Sequence, residues 1–341
     1  LKEMKLKLVP DDTNINFVGM RFVAFIFSVL VVAGSLFLVT TKGLNFGIDF
    51  TGGTVIEVRV SDTPDTGALR TELNELDLGG VSLQEFGEPN DLMIRLPQQP
   101  EAEDARQERM ACLADHSQSS DGCPKSPQQL AIEKVSSALD AKFGEGNVEY
   151  RRTEYVGPQV GEELKKAGGL AILWSLVGIL AYIWFRFEWQ FGVAAIVALA
   201  HDAVATIGFF ALTQMQFDLS TVAAVLMIAG YSINDTVVVF DRVRENMRKY
   251  KKKPLPELFN LSVNQMLSRT LMTSLTTLLA LFALYIFGGE VIRGFVDALI
   301  FGIAIGTYSS IFVASPVLIY LNVRRSDVVD ESTEEAAEQA G

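Results

Sequence analysis

The sequence predicts a polytopic α-helical membrane protein that carries one α+β domain outside the lipid. Two features of the 341-residue chain predict this class: 49% of its residues are hydrophobic, and they are gathered in long blocks. Residues 22–41 contain no charged side chain, and neither do residues 167–185. Each of these blocks is long enough to cross a hydrocarbon core of about 30 Å as a helix.

Four further apolar blocks follow, at residues 189–212, 219–240, 263–287 and 295–321. The prediction is therefore six transmembrane helices, one at residues 21–41 and five in a membrane domain at residues 167–323. The first block is long and continues into Lys42-Gly43-Leu44 without a small-residue cleavage site. We therefore interpret it as a retained span and not as a signal peptide.

The distribution of charge predicts the orientation of the chain. Residues 241–253 include seven Lys or Arg, and short loops rich in these residues stay in the cytoplasm. With six spans, residues 1–20 and the acidic tail 324–341 are then cytoplasmic, and residues 42–166 lie on the far side. That segment has 13 Lys and Arg against 23 Asp and Glu. Its acidity argues against nucleic-acid binding, whereas the basic loop suits anionic membrane lipids or a cytoplasmic partner.

The segment between the first two spans has the pattern of a small sandwich. Alternating side chains predict strands at residues 54–60, 81–86, 91–96 and 147–156, with a turn at 87–90. Helical spacing predicts helices at residues 66–78 and 127–143, the second of which ends at Gly144. This β-α-β-β-α-β order is ferredoxin-like. A polar insert at residues 97–128, with a short helix at 103–113, interrupts it.

Both cysteines lie in the insert. Cys112 and Cys123 have ten residues between them, and in an oxidising compartment such a pair favours a disulfide over two free thiols. A metal site is not expected, because His116 is the only imidazole nearby and a two-plus-two grouping of ligands is missing.

Two glycine-containing segments flank the sandwich. The first suits a sharp turn into a strand, fixed by a carboxylate, although a plain loop is the alternative. The second suits either a hinge or a rigid elbow before the second span. The residues concerned are Gly47, Asp49, Gly52 and Gly53 in the first segment and Gly157 and Pro158 in the second.

Charged side chains inside the apolar blocks are the candidate functional residues, because charge at membrane depth is costly and is usually kept for a task. Asp235 lies in the fourth block and Arg269 in the fifth, each about 9 Å from the same membrane face at helical rise. They can form a static ion pair that fixes packing, or they can belong to a proton path in which the carboxyl group is cyclically protonated.

The third block contains a second ionisable pair, His201 and Asp202. A histidine beside an acid can relay protons, but adjacent side chains on a helix point about 100° apart, so we do not expect these two to hydrogen-bond to each other. A purely structural contact for His201 is the alternative. Asn234 is placed to hold water or the neighbouring acid. Ser232 and Thr236 can likewise hold water or the acid, although such hydroxyls more often bond to their own preceding helical turn.

Several long motifs occur in the order typical of one family. They are FGIDFTGGT at 46–54, VGPQVGEEL at 156–164, AHD at 200–202, GYSINDTVVVFDRVREN at 230–246 and SRT at 268–270. With these motifs the chain resembles the SecF family of bacterial protein export, within the wider resistance-nodulation-division superfamily. The resemblance covers nearly the whole chain.

The resemblance implies a multi-pass protein of the bacterial inner membrane with a periplasmic domain. It implies that proton motive force drives late polypeptide translocation, with Asp235 and Arg269 as the residues tied to proton use. The implied partners are a SecD-like subunit, the SecYEG translocon with YajC, and the translocating polypeptide.

Other classes of function have less support in the sequence. It has no nucleotide-binding loop, metal-ligand cluster or activated nucleophile, so we expect neither an enzyme nor a cofactor or metal site. One alternative is half of a proton-driven exporter of small amphiphiles from the same superfamily. The other is a passive membrane scaffold.

Overall fold

The computed structural model describes residues 13–114, 123–289, 292–321 and 323. The chain divides into a membrane unit, residues 1–45 with 170–341, and a domain unit, residues 46–169. The predictions for residues 1–12, His116 and the tail 324–341 lie outside the described residues.

The elements follow one another in this order: α1 (Arg21–Thr41), β1 (Asn45–Phe46), α2 (Ile48–Thr51), β2 (Gly53–Val60), α3 (Thr66–Asn74), β3 (Ser82–Phe86), β4 (Glu88–Leu96), α4 (Glu103–Ala114), α5 (Pro127–Phe143), β5 (Val148–Val156), α6 (Pro158–Arg186), α7 (Trp189–Thr213), β6 (Gln216–Phe217), α8 (Leu219–Lys249), α9 (Leu255–Phe287), α10 (Arg293–Ser309), a π-helical segment (Ser310–Ala314) and α11 (Ser315–Tyr320).

Six helical stretches in the described part of the chain are long and apolar enough to cross a membrane: α1, α6 from Gln159, α7, α8, α9, and α10 continued through the π segment and α11. Their number agrees with the six predicted spans. The helices α8 and α9 extend well beyond the predicted apolar blocks, because their polar ends remain helical. Most of the basic segment 241–253 is therefore helix, which ends at Lys249.

Glycines set the close approach of helices in the membrane unit. A Cβ atom on Gly302 of α10 would lie 2.2 Å from Cδ1 of Ile228 on α8. A Cβ on Gly208 of α7 would lie 2.0 Å from Oγ of Ser35 on α1. Helices that cannot gain from the hydrophobic effect inside lipid associate through such small residues, so these positions fix which helices are neighbours.

The domain unit is a four-stranded antiparallel sheet in the order β3-β4-β2-β5. Helices α3 and α5 share one buried core with it, in which Ile56, Ile94, Leu73 and Val135 are fully enclosed. This order of strands and helices is that of a ferredoxin-like sandwich.

Two boundaries in the domain unit differ from the prediction. Helix α3 ends at Asn74, not at residue 78, because the chain turns through Asp77, whose φ is 55°, and Gly79, whose φ is 81°. The predicted turn at 87–90 is far tighter, since Gly87, with a φ of 89°, is the only residue between β3 and β4.

The insert has its own anchoring contacts. A disulfide joins Cys112 near the end of α4 to Cys123, and Arg109 of α4 donates two hydrogen bonds to Glu101, at 2.9 and 3.0 Å. Ser126 then caps α5 through a capping box with Gln129. These contacts hold the insert together internally and define its junction with α5.

The first glycine segment forms the short helix α2 and a sharp exit from it. Gly47 is the N-cap residue and Asp49 lies in the first turn. Gly52 and Gly53 have φ values of 69° and 122°, and a Cβ on Gly53 would lie 2.5 Å from the carbonyl oxygen of Leu96. Only glycine fits there, because a side chain would strain the backbone and strike β4.

The second glycine segment is helical. Helix α6 begins at Pro158 and continues without a break to Arg186, and the carbonyl of Gly157 accepts a hydrogen bond from the N–H of Gly161 at 3.0 Å. Residues 158–169 are therefore part of one continuous helix.

Candidate functional site

The carboxylate of Asp202 is the most completely enclosed charge-bearing group in the described membrane unit. Its residue is 0% exposed. Oδ2 accepts hydrogen bonds from the hydroxyls of Ser232 on α8, at 2.5 Å, and Ser309 on α10, at 2.6 Å. Oδ1 lies 3.0 Å from Nδ1 of His201. Hydrogen bonds of this kind offset the cost of burying a carboxylate.

Close packing of α10 makes this arrangement possible. A Cβ on Gly306 would lie 3.2 Å from Cβ of Ser232 and 3.6 Å from Oδ2 of Asp202, so glycine lets α10 reach the other two helices. One turn later Ser309 points its hydroxyl at the acid, directly before the π-helical segment 310–314. Such segments occur frequently at functional sites.

The prediction for His201 and Asp202 was wrong, and Ser232 differs from the alternative that the sequence favoured. His201 and Asp202 do hydrogen-bond to each other, because rotation about their side-chain bonds brings the ring and the carboxylate together although their Cβ atoms diverge. Ser232 does not bond to its own helix but donates to Asp202, since its side chain faces the acid across the helix interface.

His201 contacts a further polar group through its ring. The ring centroids of His201 and Tyr308 are 6.1 Å apart, and the Tyr308 hydroxyl donates to the carbonyl of Ala24, at 2.8 Å, and lies 3.1 Å from Oγ of Ser28. Nε2 of His201 is buried without a hydrogen-bond partner in the described residues. The imidazole therefore has one nitrogen on Asp202 and one available for a proton or a water molecule.

Asp235 lies on α8 in a different environment. It is 4% exposed, and its Oδ2 has no hydrogen-bond partner in the described part of the chain. Arg269 of α9 is the cation whose charge acts on this carboxylate, but no ion pair between the two is found among the described residues. The Arg269 side chain is exposed on the surface of the unit, as is Asn234.

Two hydroxyl groups near these charges in sequence are also buried without a partner in the described residues: Oγ1 of Thr236, beside Asp235, and Oγ1 of Thr270, beside Arg269. Buried hydroxyls without protein partners are where ordered water binds. The arrangement can thus hold water next to a carboxylate that protein donors leave unsatisfied.

The structure therefore joins His201 with Asp202, and among the described residues it shows no ion pair between Asp235 and Arg269. Sequence reasoning missed Ser309, because a lone serine in an apolar block has no signal that links it to an acid 107 residues away. It also missed a buried ion pair between Glu188, in the short link after α6, and Arg244 on α8, with Oε1 and Nη2 3.1 Å apart.

Within the described residues, no group of three His, Cys, Asp or Glu side chains is arranged to hold a metal ion. The candidate site therefore consists of carboxylates, an imidazole, hydroxyls and the guanidinium of Arg269.

Comparisons with known proteins identify the family. Residues 135–324 match the model "Protein export membrane protein SecD/SecF, C-terminal", and residues 37–64 match "SecD/SecF GG Motif". The chain is 45% identical to protein translocase subunit SecF of Rickettsia bellii, across 92% of this chain and 95% of that protein. It is 46% identical to the SecF of Cereibacter sphaeroides, across 94% of both.

Solved structures indicate the same family as the sequence comparisons. A crystal structure of SecDF, a translocon-associated membrane protein from Thermus thermophilus, superposes with a TM-score of 0.76 at 37% identity, covering 93% of this chain but 40% of that one. A second SecDF structure, in a super-membrane-facing form, gives a TM-score of 0.61 at 36% identity. This chain thus spans less than half the length of the SecDF proteins that it matches. It belongs to the SecF family of protein translocase subunits.

Proposed function

We propose that this chain is an accessory subunit of the Sec export machinery that uses the proton motive force to promote late polypeptide translocation through SecYEG. The observation that carries the proposal is the state of Asp235: a buried carboxylate oxygen without a hydrogen-bond donor, beside a cation that does not pair with it. A static ion pair that only fixes packing would bring the two side chains into contact. A carboxyl group that alternately binds and releases a proton cannot be held permanently in an ion pair.

Protonation of Asp235 would remove its charge and with it the attraction to Arg269, so the preferred arrangement of α8 and α9 would change with each proton. One charge that crosses 100 mV of membrane potential supplies about 2.3 kcal/mol. That energy shifts a two-state equilibrium by a factor on the order of 50, which suffices to couple proton flow to a change in shape.

Asp202 has a second role in this proposal. Its three hydrogen-bond partners lie on α7, α8 and α10, so a change in its charge would be felt by three helices together. The unpartnered Nε2 of His201 and the hydroxyls of Thr236 and Thr270 support water-assisted proton transfer between the two acids. We assign no enzymatic reaction to the chain, since proton movement alone supplies the work.

The proposed setting is the bacterial inner membrane, with both termini in the cytoplasm and the ferredoxin-like domain in the periplasm. The seven Lys and Arg of residues 241–253 support that orientation. The solved structures that this chain matches are of SecDF, and we propose a SecD-like subunit as its partner. SecYEG, YajC and the translocating polypeptide complete the proposed assembly.

The variant Asp235→Asn tests the proposal, because it keeps the shape of the side chain but cannot release a proton. In inverted membrane vesicles with an imposed proton gradient, we expect it to assemble with its SecD-like partner yet to lose proton-dependent stimulation of secretion. Asp241→Asn, an exposed carboxylate on the same helix, is the matched control and should behave as the unaltered protein. Stimulation that survives in Asp235→Asn would refute the proposed proton role.

A further inference from the structure

A groove of about 560 Å³ runs along α1 on the surface of the membrane unit. Its walls come from α1, from α7, and from the π segment together with α11. Almost all of the lining is hydrocarbon, with Val32, Val197 and Val317 as typical members. The groove is therefore a place where an apolar chain fits between helices of the unit.

The contribution of α1 follows a single stripe. Arg21, Phe25, Val32 and Leu36 lie along it, and at helical rise the stripe extends for about 22 Å. This length exceeds half of a hydrocarbon core of about 30 Å. Near Leu36, α1 and α7 approach closely where Ser35 meets Gly208.

One end of the groove is cationic. The guanidinium of Arg21 lies over the rings of Phe22, at 5.1 Å, and Tyr320, at 5.7 Å, and within the described residues no carboxylate pairs with it. Arginine beside aromatic rings is typical of the membrane–water boundary. A guanidinium in this position is suited to a phosphate group, which it can bind with two hydrogen bonds.

We propose that the groove binds one anionic phospholipid, with the phosphate on Arg21 and an acyl chain along α1 and α7. Any lipid in the membrane can offer an acyl chain, and moving it from bulk lipid into the groove brings little hydrophobic gain. Preference among lipids must therefore come from the headgroup, and the charge of Arg21 favours an anionic one.

The bound lipid would contact His201, the histidine that is hydrogen-bonded to Asp202. His201 forms part of the groove wall, and the same residue holds Oδ1 of Asp202. An acyl chain against this wall packs beside His201. This binding site requires only that α1 lies in the membrane, so its existence does not depend on the proton role proposed for Asp235.

Native mass spectrometry of the full chain in detergent, titrated with phosphatidylglycerol or phosphatidylethanolamine, tests the site. We expect one tightly bound phosphatidylglycerol, and Arg21→Gln should weaken that binding about tenfold while leaving phosphatidylethanolamine unchanged. Arg248→Gln is the control, because it removes an exposed cation from α8 outside the groove. Ala33→Trp, which fills the groove from α1, should abolish retention of both lipids.

Three outcomes would overturn the site. Equal losses in Arg21→Gln and Arg248→Gln would show that the preference reflects general surface charge. Retention unchanged by Ala33→Trp, in a variant that elutes as the folded protein does, would place the lipid elsewhere. A photoreactive side chain at Val32 that captures a copurified polypeptide and no lipid would show a protein partner in the groove.

Discussion

Ser309 donates a hydrogen bond of 2.6 Å to Oδ2 of Asp202, across 107 residues of sequence. The next residue, Ser310, is equally buried, but its hydroxyl donates to the carbonyl of Gly306 at 2.7 Å. Of these two adjacent buried serines, only Ser309 contacts the acid. Substituting each serine in turn therefore distinguishes the effect of the hydrogen bond to Asp202 from the effect of side-chain packing on α10.

Ser309→Ala should lower proton-dependent stimulation of secretion, because Asp202 loses one of its donors and its link to α10. The lost bond is worth on the order of 1 kcal/mol inside a membrane protein, so we expect a severalfold reduction, not abolition. Ser310→Ala removes a hydroxyl of the same size and burial and should leave stimulation intact. Equal effects of the two substitutions in vesicles would assign Ser309 to packing alone.

Arg269→Met should abolish proton-dependent stimulation without unfolding the membrane unit. The reason is that the Arg269 side chain is exposed and acts on Asp235 through its charge and not through contact. Arg269→Lys keeps the positive charge and should restore part of the activity. The measurements are secretion in energised vesicles and thermal stability in detergent. Normal secretion by the methionine variant would exclude this residue from the proton path.

The sequence predicted the six spans because a long apolar block has few alternatives to a membrane helix. It did not predict the C-terminal end of α8 or the N-terminal start of α9, since the predicted blocks followed the apolar residues and these polar turns lie outside them. The ferredoxin-like order was predictable from alternation and helical spacing, whereas the ends of α3 and of the β3–β4 turn depend on residues with positive φ.

For the candidate site, the sequence identified each acid but not its partners. Asp202 and Asp235 stand out because they are charges in apolar blocks. The two acids differ in their partners: Asp202 has three, whereas Oδ2 of Asp235 has no donor in the described residues. This difference depends on how α7, α8 and α10 pack. A single sequence does not encode that distance information in any local pattern, and the π segment after Ser309 likewise has no local signature.

Arg244→Met should destabilise the membrane unit strongly. Arg244 and Glu188 have side chains only 9% and 8% exposed, and the guanidinium lies 5.4 Å from the centre of the Phe187 ring. Removing one partner of a buried pair leaves an uncompensated charge, at a cost of about 3–5 kcal/mol. Thermal unfolding in detergent, followed by size-exclusion chromatography, should show a clear loss relative to Arg248→Met, which alters an exposed residue on the same helix.

The double variant Glu188→Leu with Arg244→Met distinguishes a charge effect from a packing effect. Replacing both members of a buried ion pair with apolar residues is often neutral or stabilising, so the double variant should recover much of the stability that Arg244→Met loses. A double variant as unstable as the single one would show that the shape of the arginine, packed on Phe187, is what matters.

In the domain unit, Asp91 of β4 lies directly opposite Arg59 of β2. Arg59 donates from Nε to Oδ1 at 2.5 Å and from Nη2 to Oδ2 at 2.6 Å, and Arg151 of β5 adds a contact of 3.2 Å. These hydrogen bonds, that from Arg59 foremost, hold the pKa of the Asp91 carboxyl below its ordinary value. The ionised carboxylate thus joins three strands of the sheet.

Asp91→Asn should destabilise the sheet by about 1–3 kcal/mol at neutral pH, because Arg59 and Arg151 lose their charged acceptor at a buried position. A carboxyl group whose pKa is lower in the folded state stabilises fully above its unfolded pKa of about 3.9 and loses that contribution as pH falls through the folded value. The difference in stability between the two proteins should therefore shrink below about pH 4.

Hydrogen exchange of β2 and β4 in the full chain, corrected for intrinsic rates, measures this difference in stability. The control is Glu88→Gln, which alters an exposed neighbour of Arg59 and should have little effect at any pH. A stability difference for Asp91→Asn that stays constant down to pH 3 would show that the charge of Asp91 does not stabilise the sheet.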